Sequence, residues 1–270
     1  MSDLAAIARR LRRRILDTAM KAGAGHIAPA YSVLEIVVAL YFEVLRVDPK
    51  RPRWELRDRF ILSKGHGCLA LYAVLAERGF FPEAALDTFT KPGTFLGGHP
   101  DLKVPGVDAA TGSLGHGLPM GVGMALAAKL AGQDYRTFVV LSDGECQEGS
   151  VWEAALLAAH LGLDHLTMVL DNNNLQALGP VTEVMSSAVP VADKWRAFGW
   201  AVTEVDGHDL PALVDVLTRA PISAGRPTAI IANTVKGKGI SYMEQSAIWH
   251  YRIPNPEELA VAVAELQDPV

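Results

Sequence analysis

The stretch Leu141–Leu175, LSDGECQEGSVWEAALLAAHLGLDHLTMVLDNNNL, decides how this chain is read. Just before it, Arg136–Leu141 (RTFVVL) is a short apolar run rich in β-branched residues, and Ser142-Asp143-Gly144 stops it with a carboxylate and a glycine, as a buried parallel strand stops. From Val151 the residues Val151, Ala154, Ala155, Ala158 and Ala159 recur at spacings of three and four, which predicts an amphipathic helix. Leu166–Leu170 (LTMVL) is the next strand, closed by Asp171-Asn172-Asn173-Asn174. A strand-helix-strand unit of this kind puts both polar clusters at the carboxyl edge of neighbouring strands.

Open α/β sheets bind ligands in the crevice at that edge. Asp143 and Asn173 are predicted to converge there. One carboxylate and one amide oxygen suit Mg²⁺, which takes about six oxygens and borrows several from phosphates and water. A helix starting near Gly149 turns free N–H groups and its positive dipole end to the same place, which favours a phosphate. Asp-Gly and Asn-Asn are also ordinary turn residues, and either alone fits that reading equally well.

Working outward, the 270 residues are half apolar and one fifth charged, enough to bury the core of a single large α/β domain. A net charge of −5 gives no footprint for nucleic acid. The apolar stretch Tyr31–Val47 is interrupted by Glu35, Glu43 and Arg46, so no membrane span is expected. No secretory apolar region follows the start, and Arg9, Arg10 and Arg12 to Arg14 read as the solvated side of a first helix. Cys68 and Cys146 lack framework or metal spacing, which suggests reduced thiols in the cytoplasm.

Five further segments carry polar residues in positions that chemistry would use. His26 lies in GAGHIAPAYSVLEI, ahead of a helix that the pattern Ser32-x-x-Glu35 announces as a capping box. The strand Arg59–Ser63 runs into Lys64-Gly65-His66-Gly67, where glycines let the backbone approach a ligand. The unpatterned loop Lys91–Asp108 holds Gly97-Gly98-His99-Pro100, and loops of that length are commonly functional. Thr111–Gly117 (TGSLGHG) has the wrong glycine spacing for a dinucleotide fingerprint. His250 sits in SAIWHYRIP. Strands Trp200–Val205 and Thr228–Asn233 end in DGHD and TVKGKG, where Lys236 and Lys238 fit either phosphate neutralisation or a solvated loop. Single loop histidines are often plain surface residues.

Taken together and in order, these elements resemble the transketolase family of thiamine diphosphate enzymes. Asp143-Gly144 and Asn173 match the family's G-D-G and N metal motif about thirty residues apart, with Ser142 in place of the first glycine. The segments around His26, His66, His99 and His250 match its histidine elements. TGSLGHG is similar to its T-G-x-L-G-Q-G loop, with His116 in place of glutamine. The resemblance implies a three-layer α/β thiamine diphosphate-binding fold, its mostly parallel central sheet flanked by helices. It implies that Asp143, Asn173 and the carbonyl of Leu175 hold Mg²⁺, or Ca²⁺ or Mn²⁺ in its place. His66, Gly112, Ser113, Leu114, Gly144, Glu148 and His250 would contact the cofactor. His26, His99 and His250 would bind sugar hydroxyls and move protons, and Glu148 would face the carboxylate that activates the pyrimidine ring.

Residues 1–270 then correspond to one diphosphate-binding domain of transketolase type, without the pyrimidine-binding and carboxy-terminal domains. The implied partner is a carboxy-terminal transketolase subunit supplying that carboxylate, two copies of each chain forming the enzyme. The implied reaction moves a two-carbon ketol unit from a ketose to an aldose, commonly as phosphates. Most of the family's phosphate-recognising arginines would belong to the partner. Two other readings share parts of the pattern: another thiamine diphosphate enzyme, such as the α chain of a 2-oxo acid dehydrogenase or a deoxyxylulose phosphate synthase relative, and a cofactor-free interaction subunit. The dehydrogenase chains lack the set of histidine loops, and an intact Asp143 and Asn173 weigh against the cofactor-free reading.

Overall fold

The structure, a computed structural model, describes residues 3–185 and 189–267. Helix α1 (Leu4–Ala22) and helix α2 (Ile27–Ala39) precede strand β1 (Arg59–Leu62), and α3 (Cys68–Glu77) and α4 (Gly117–Leu130) follow it. The deciding stretch then gives β2 (Thr137–Ser142), α5 (Gly149–His160) and β3 (Leu166–Asn172). The short α6 (Val181–Val184) and α7 (Val191–Ala197) lead to β4 (Ala201–Asp206), α8 (Leu210–Thr218), β5 (Thr228–Asn233) and α9 (Pro256–Glu265).

All strand pairs are parallel, in the order β1-β2-β3-β5-β4. Alternation along each strand divides the core into two layers. Phe138, Val140, Val169 and Ile230 face the cluster formed with α1, α2, α3 and α8. Val139, Leu141, Met168, Leu170 and Ile231 face the cluster formed with α4, α5 and α7. Register pairs Ser142 with Asp171 and Asn172 with Asn233, so the carboxyl ends of β2, β3 and β5 finish level. Every segment following those ends emerges on one rim.

Helix α2 is the centre of the first layer, and each of its residues from Ile27 to Ala39 is buried. With the π-helical turn Leu40–Val44 it is long and apolar enough to cross a membrane, but 89 % of it lies inside the protein, as in a core helix. The expected capping box does not form. The helix begins at Ile27 with His26 as its N-cap, which leaves Ser32 and Glu35 inside it and fully packed. An apolar run of this density overrides the local S-x-x-E signal. Arg12 also departs from the solvated reading, since it is buried and paired with Glu35 at 2.5 Å. Asp3 caps α1, accepting from the Ala6 N–H at 2.9 Å.

Helix α4 reaches the sheet closely because it carries glycine at the contacts. A Cβ on Gly117 would lie 2.3 Å from the Ser63 side chain and 2.8 Å from its Cα, and one on Gly121 would lie 2.4 Å from Val139. Since one obstacle at Gly117 is backbone, Gly117→Ala is expected to lower unfolding free energy by about 1–3 kcal/mol. Urea denaturation checks this, and an unchanged midpoint would contradict the packing.

Candidate active site

The rim collects four imidazoles from four separate segments. The His26 ring centroid lies 5.5 Å from that of His66, 6.3 Å from His99 and 5.2 Å from His250. His66 and His250 are 5.2 Å apart. Each arrives by different means: His26 as the N-cap of α2, His66 in the 3₁₀ turn after β1, His250 in the 3₁₀ turn Ala247–Tyr251. His99 comes from the long loop, whose backbone is fixed by the Tyr72 hydroxyl donating to the carbonyls of Gly97 at 3.1 Å and His99 at 2.7 Å.

The glycine loops interlock beside this cluster. Gly112 adopts φ +137° with the His99 ring against its Cα, where a Cβ would meet ring carbons at 3.0 Å. A Cβ on Gly65 would meet the Gly112 nitrogen at 2.8 Å, so the KGHG and TGSLG segments touch through their backbones. Gly115 in turn approaches Glu148 and Ser150, whose hydroxyl donates to the Gly115 carbonyl at 2.8 Å. Gly112, Ser113 and Leu114 therefore sit between His99 and Glu148, and both Ser113 and Glu148 are exposed.

The oxygen set converges as well. Asp143 is buried and accepts the backbone N–H of Gly144 at 2.7 Å and that of Asn174. The Asn173 amide nitrogen donates to the Ser32 hydroxyl at 3.0 Å and faces Asp171 at 3.4 Å. That fixes which way the amide points and leaves its oxygen, which accepts the Leu175 N–H at 2.9 Å, on the loop side. The Leu175 carbonyl lies 3.5 Å from the Lys236 ammonium. A carboxylate, an amide oxygen and a carbonyl form a hard, oxygen-only donor set, which fits Mg²⁺ or Ca²⁺ and not a soft metal. No cluster of three histidine, cysteine or acidic side chains suited to another metal occurs among the described residues.

Lys64, Lys236, Asp171 and Glu145 take larger parts than their sequence signal suggested. Lys64 and Asp171 form a buried ion pair, and Asp171 also accepts from the Ser32 hydroxyl at 2.7 Å and the Thr234 hydroxyl. Lys236 is buried and has no carboxylate partner among the described residues. Its ammonium contacts the His250 Nδ1 at 2.9 Å and the carbonyls of Leu175 and Gln176. It is no solvated loop lysine, whereas Lys238 pairs loosely with Glu244 at 3.6 Å nearer the surface. Glu145 is fully buried and accepts from Ser63 Oγ, the Gly115 N–H at 2.9 Å and the Ser142 N–H at 3.2 Å, tying three ligand-facing segments together. Charged residues at strand ends look like turn residues in sequence, and only tertiary packing reveals such partners.

Electrostatics follows from this burial. Burial pushes Lys236 down to about 8, helped by Lys64. A buried ammonium facing neutral groups fits an anionic ligand such as a diphosphate. Burial, then Asp171, raises Asp143 to about 6, the direction that a neighbouring divalent cation would reverse. Burial lowers His26 to about 4, with His99, Lys64 and Lys236 adding repulsion. Burial, then Lys236, lowers His250 to about 3, and His66 is likewise held well below the usual histidine range by burial. These imidazoles are neutral at neutral pH. With the Lys236 ammonium donating to Nδ1, His250 carries its own proton on Nε2.

Known proteins match this arrangement. The transketolase thiamine diphosphate-binding domain matches residues 4–255. The chain belongs to the transketolase family. It is 43 % identical over 257 residues to an apulose-4-phosphate transketolase subunit from Phocaeicola vulgatus, covering 95 % of this chain and 91 % of that one. It is 42 % identical over 266 residues to the 6-deoxy-6-sulfo-D-fructose transketolase subunit SqwG of a Clostridium species, covering 98 % and 96 %. Among solved structures, the transketolase of Campylobacter jejuni superposes with a TM-score of 0.91 at 30 % identity. This chain is covered to 98 % in that superposition but spans only 43 % of the solved transketolase chain. The family's chemistry is thiamine diphosphate-dependent ketol transfer, and this chain corresponds to the amino-terminal, cofactor-binding part of such an enzyme. The expected three-layer α/β fold is present, with a sheet that is parallel throughout the described residues.

The lowered histidine values have a measurable consequence. Below about pH 6.5 the unfolded chain takes up protons that folded His26 refuses until about pH 4, so this stability is full above 6.5 and is lost across that window. Asp143, raised to about 6, contributes with opposite sign, so a comparison of variants is needed to separate them. Between pH 7 and pH 4 the unfolding free energy of the wild type should fall by about 2 kcal/mol more than that of His26→Asn, after discounting for partial exposure. Parallel pH profiles would contradict it.

Proposed function

We propose that this chain is the amino-terminal subunit of a two-polypeptide transketolase, transferring a two-carbon ketol unit from a ketose, commonly phosphorylated, to an aldose. The observation that carries the reading is the meeting of four histidines, a buried unpaired lysine and the Asp143, Asn173 and Leu175 oxygens at one rim. Residues 1–270 act as the diphosphate-binding domain. A carboxy-terminal transketolase subunit brings the pyrimidine-binding domain, two copies of each forming the enzyme. The Phocaeicola and Clostridium relatives are themselves named as subunits, which supports a separate partner chain.

Asp143, Asn173 and the Leu175 carbonyl hold a divalent cation, Mg²⁺ by preference and Ca²⁺ or Mn²⁺ in its place. His66, Lys236, Gly144 and the Gly112–Leu114 backbone hold the diphosphate. Bound thiamine diphosphate supplies the electron sink for the transferred carbons. His26, His99 and His250 hydrogen-bond the sugar hydroxyls. Neutral His26 offers one N–H donor and one acceptor nitrogen, which lets it take a proton from a hydroxyl and return it. At His250 the Lys236 ammonium occupies Nδ1, which leaves the Nε2–H to donate to a substrate oxygen. Glu148, exposed at the start of α5, faces the partner's activating carboxylate across the interface between the two chains. Two free, buried thiols accord with a reducing, cytoplasmic setting.

With the partner present, His26→Ala and His250→Ala should each lower turnover about 100-fold or more while the complex still takes up cofactor. Asp143→Ala should abolish Mg²⁺-dependent uptake of thiamine diphosphate, measured by calorimetry. Near-wild-type turnover in both histidine variants would remove their assigned roles, and uptake that ignores Asp143 would remove the metal assignment.

A further inference from the structure

Beside His26 lies a cavity of about 320 Å³ bounded by His26, His99, Phe89, Thr90, Tyr251 and two glycines. None of its lining side chains carries a fixed charge. Its polar groups are the two imidazoles and the hydroxyls of Thr90 and Tyr251, and its apolar walls are Phe89, which is buried, and the Tyr251 ring. Tyr251 stands with its ring centroid 4.5 Å from that of His26, tilted by 54°, and remains 60 % exposed. Its hydroxyl has no partner among the described residues. Backbone anchoring makes this placement firm: the neighbouring Trp249 is buried against Tyr242 at 4.8 Å, and the Arg252 guanidinium covers it at 4.2 Å.

The Tyr251 ring is thus held by His26 and by the anchored segment, with its outer face left open to a ligand. A cavity lined by aromatic carbon, imidazole and hydroxyl, without a cation, suits a neutral polyhydroxylated carbon chain, whose C–H faces stack on rings while its hydroxyls reach the nitrogens. A terminal phosphate or sulfonate finds no charge partner within it. We propose that Tyr251 is a specificity-determining residue, its ring forming the wall that grips the uncharged carbons of the acceptor aldose, with any anionic terminus held outside this cavity. The inference rests on the transketolase reading above. It adds to that reading a selector for chain length, separate from the histidines that handle protons.

The test uses the complex of this chain with its partner, assayed on an unphosphorylated acceptor series of glycolaldehyde, glyceraldehyde, erythrose and ribose. Tyr251→Ala should lower kcat/KM for erythrose and ribose more than for glycolaldehyde, so that the long-to-short ratio falls about tenfold, chiefly through KM. Tyr251→Phe should keep the wild-type ratio within about twofold, because the ring supplies the grip. Erythrose 4-phosphate compared with erythrose should show the same phosphate preference in wild type and Tyr251→Ala. An unchanged length ratio in Tyr251→Ala, with transfer intact in the wild type, overturns the role of Tyr251 alone. A phosphate preference that shifts with Tyr251 overturns the neutral-chain assignment. Failure of the wild-type complex to transfer to any acceptor overturns the underlying reading, and the inference with it.

Discussion

The ion pair between Lys64 and Asp171 is the constraint on which the rim depends. Both side chains are almost entirely inaccessible to water, and two charges so placed cost several kcal/mol to desolvate unless their remaining hydrogen-bonding capacity is used. Here most of it is used. Asp171 takes hydrogen bonds from Ser32 on α2 and from Thr234 beyond β5, and Lys64 Nζ reaches the Pro29 carbonyl at 3.2 Å. One carboxylate at the end of β3 therefore ties together the segment after β1, the core helix and the segment after β5. Asn173 is oriented by the same knot through its contacts to Ser32 and Asp171. The residue assigned to the cation is thus fixed by groups that never touch it, which is how a supporting shell gives a ligand its geometry.

That knot also decides the charge of the site. With Lys64 and Asp171 cancelling, the groups left without an ion-pair partner among the described residues of the rim include Lys236 on one side and Asp143 and Glu145 on the other. Lys236 is lowered to about 8 and Asp143 raised to about 6, each moved mainly by burial toward its neutral form. Such opposed shifts describe a place prepared for a charged pair to arrive together, an anion against the lysine and a cation against the aspartate. His26, held neutral by burial and by these ammonium groups, stays available as both donor and acceptor, while neutral His250 presents its Nε2–H. A second buried network, in which Glu35 joins Arg12 to His208 and His208 Nε2 accepts the Val235 N–H at 2.8 Å, supports the loop carrying Lys236 from below.

The strands, the helix between β2 and β3 and the rim location were legible in sequence because apolar runs, glycine punctuation and polar strand ends are local signals. β5 (Thr228–Asn233) falls where the pattern put it, and β2 and β3 differ from it by a residue or two at their ends. Partnership was not legible. Ser32 and Glu35 imitated a helix start because a capping box and a buried polar pair three residues apart look alike until the surrounding apolar density is known. Arg12 resembled its exposed neighbours although it faces Glu35. Glu145, two residues past the metal motif, read as one more loop acid, yet it is the acceptor that joins Ser63, Gly115 and Ser142. The histidines stood out only through their spacing along a family pattern, since nothing local to His26 or His250 says that they lie 5.2 Å apart.

Exposure across the rim is graded, and the gradient has a functional sense. Asp143, Asn173, Lys236 and Lys64 are buried, His26, His66 and His250 are intermediate, and His99, Ser113, Glu148 and Tyr251 are open. Binding energy for a charged anchor is therefore generated in the low-dielectric interior, where hydrogen bonds and Coulomb attraction are strongest. In the enzyme proposed above, the reacting end of a ligand anchored there would project toward the open residues, where this chain provides one wall and water has access. Proton transfer and carbanion chemistry need that water removed. A chain that builds its anchor inward and leaves its reaction face uncovered suits a second surface, and in the enzyme proposed above the exposed Glu148 would lie where that surface meets it.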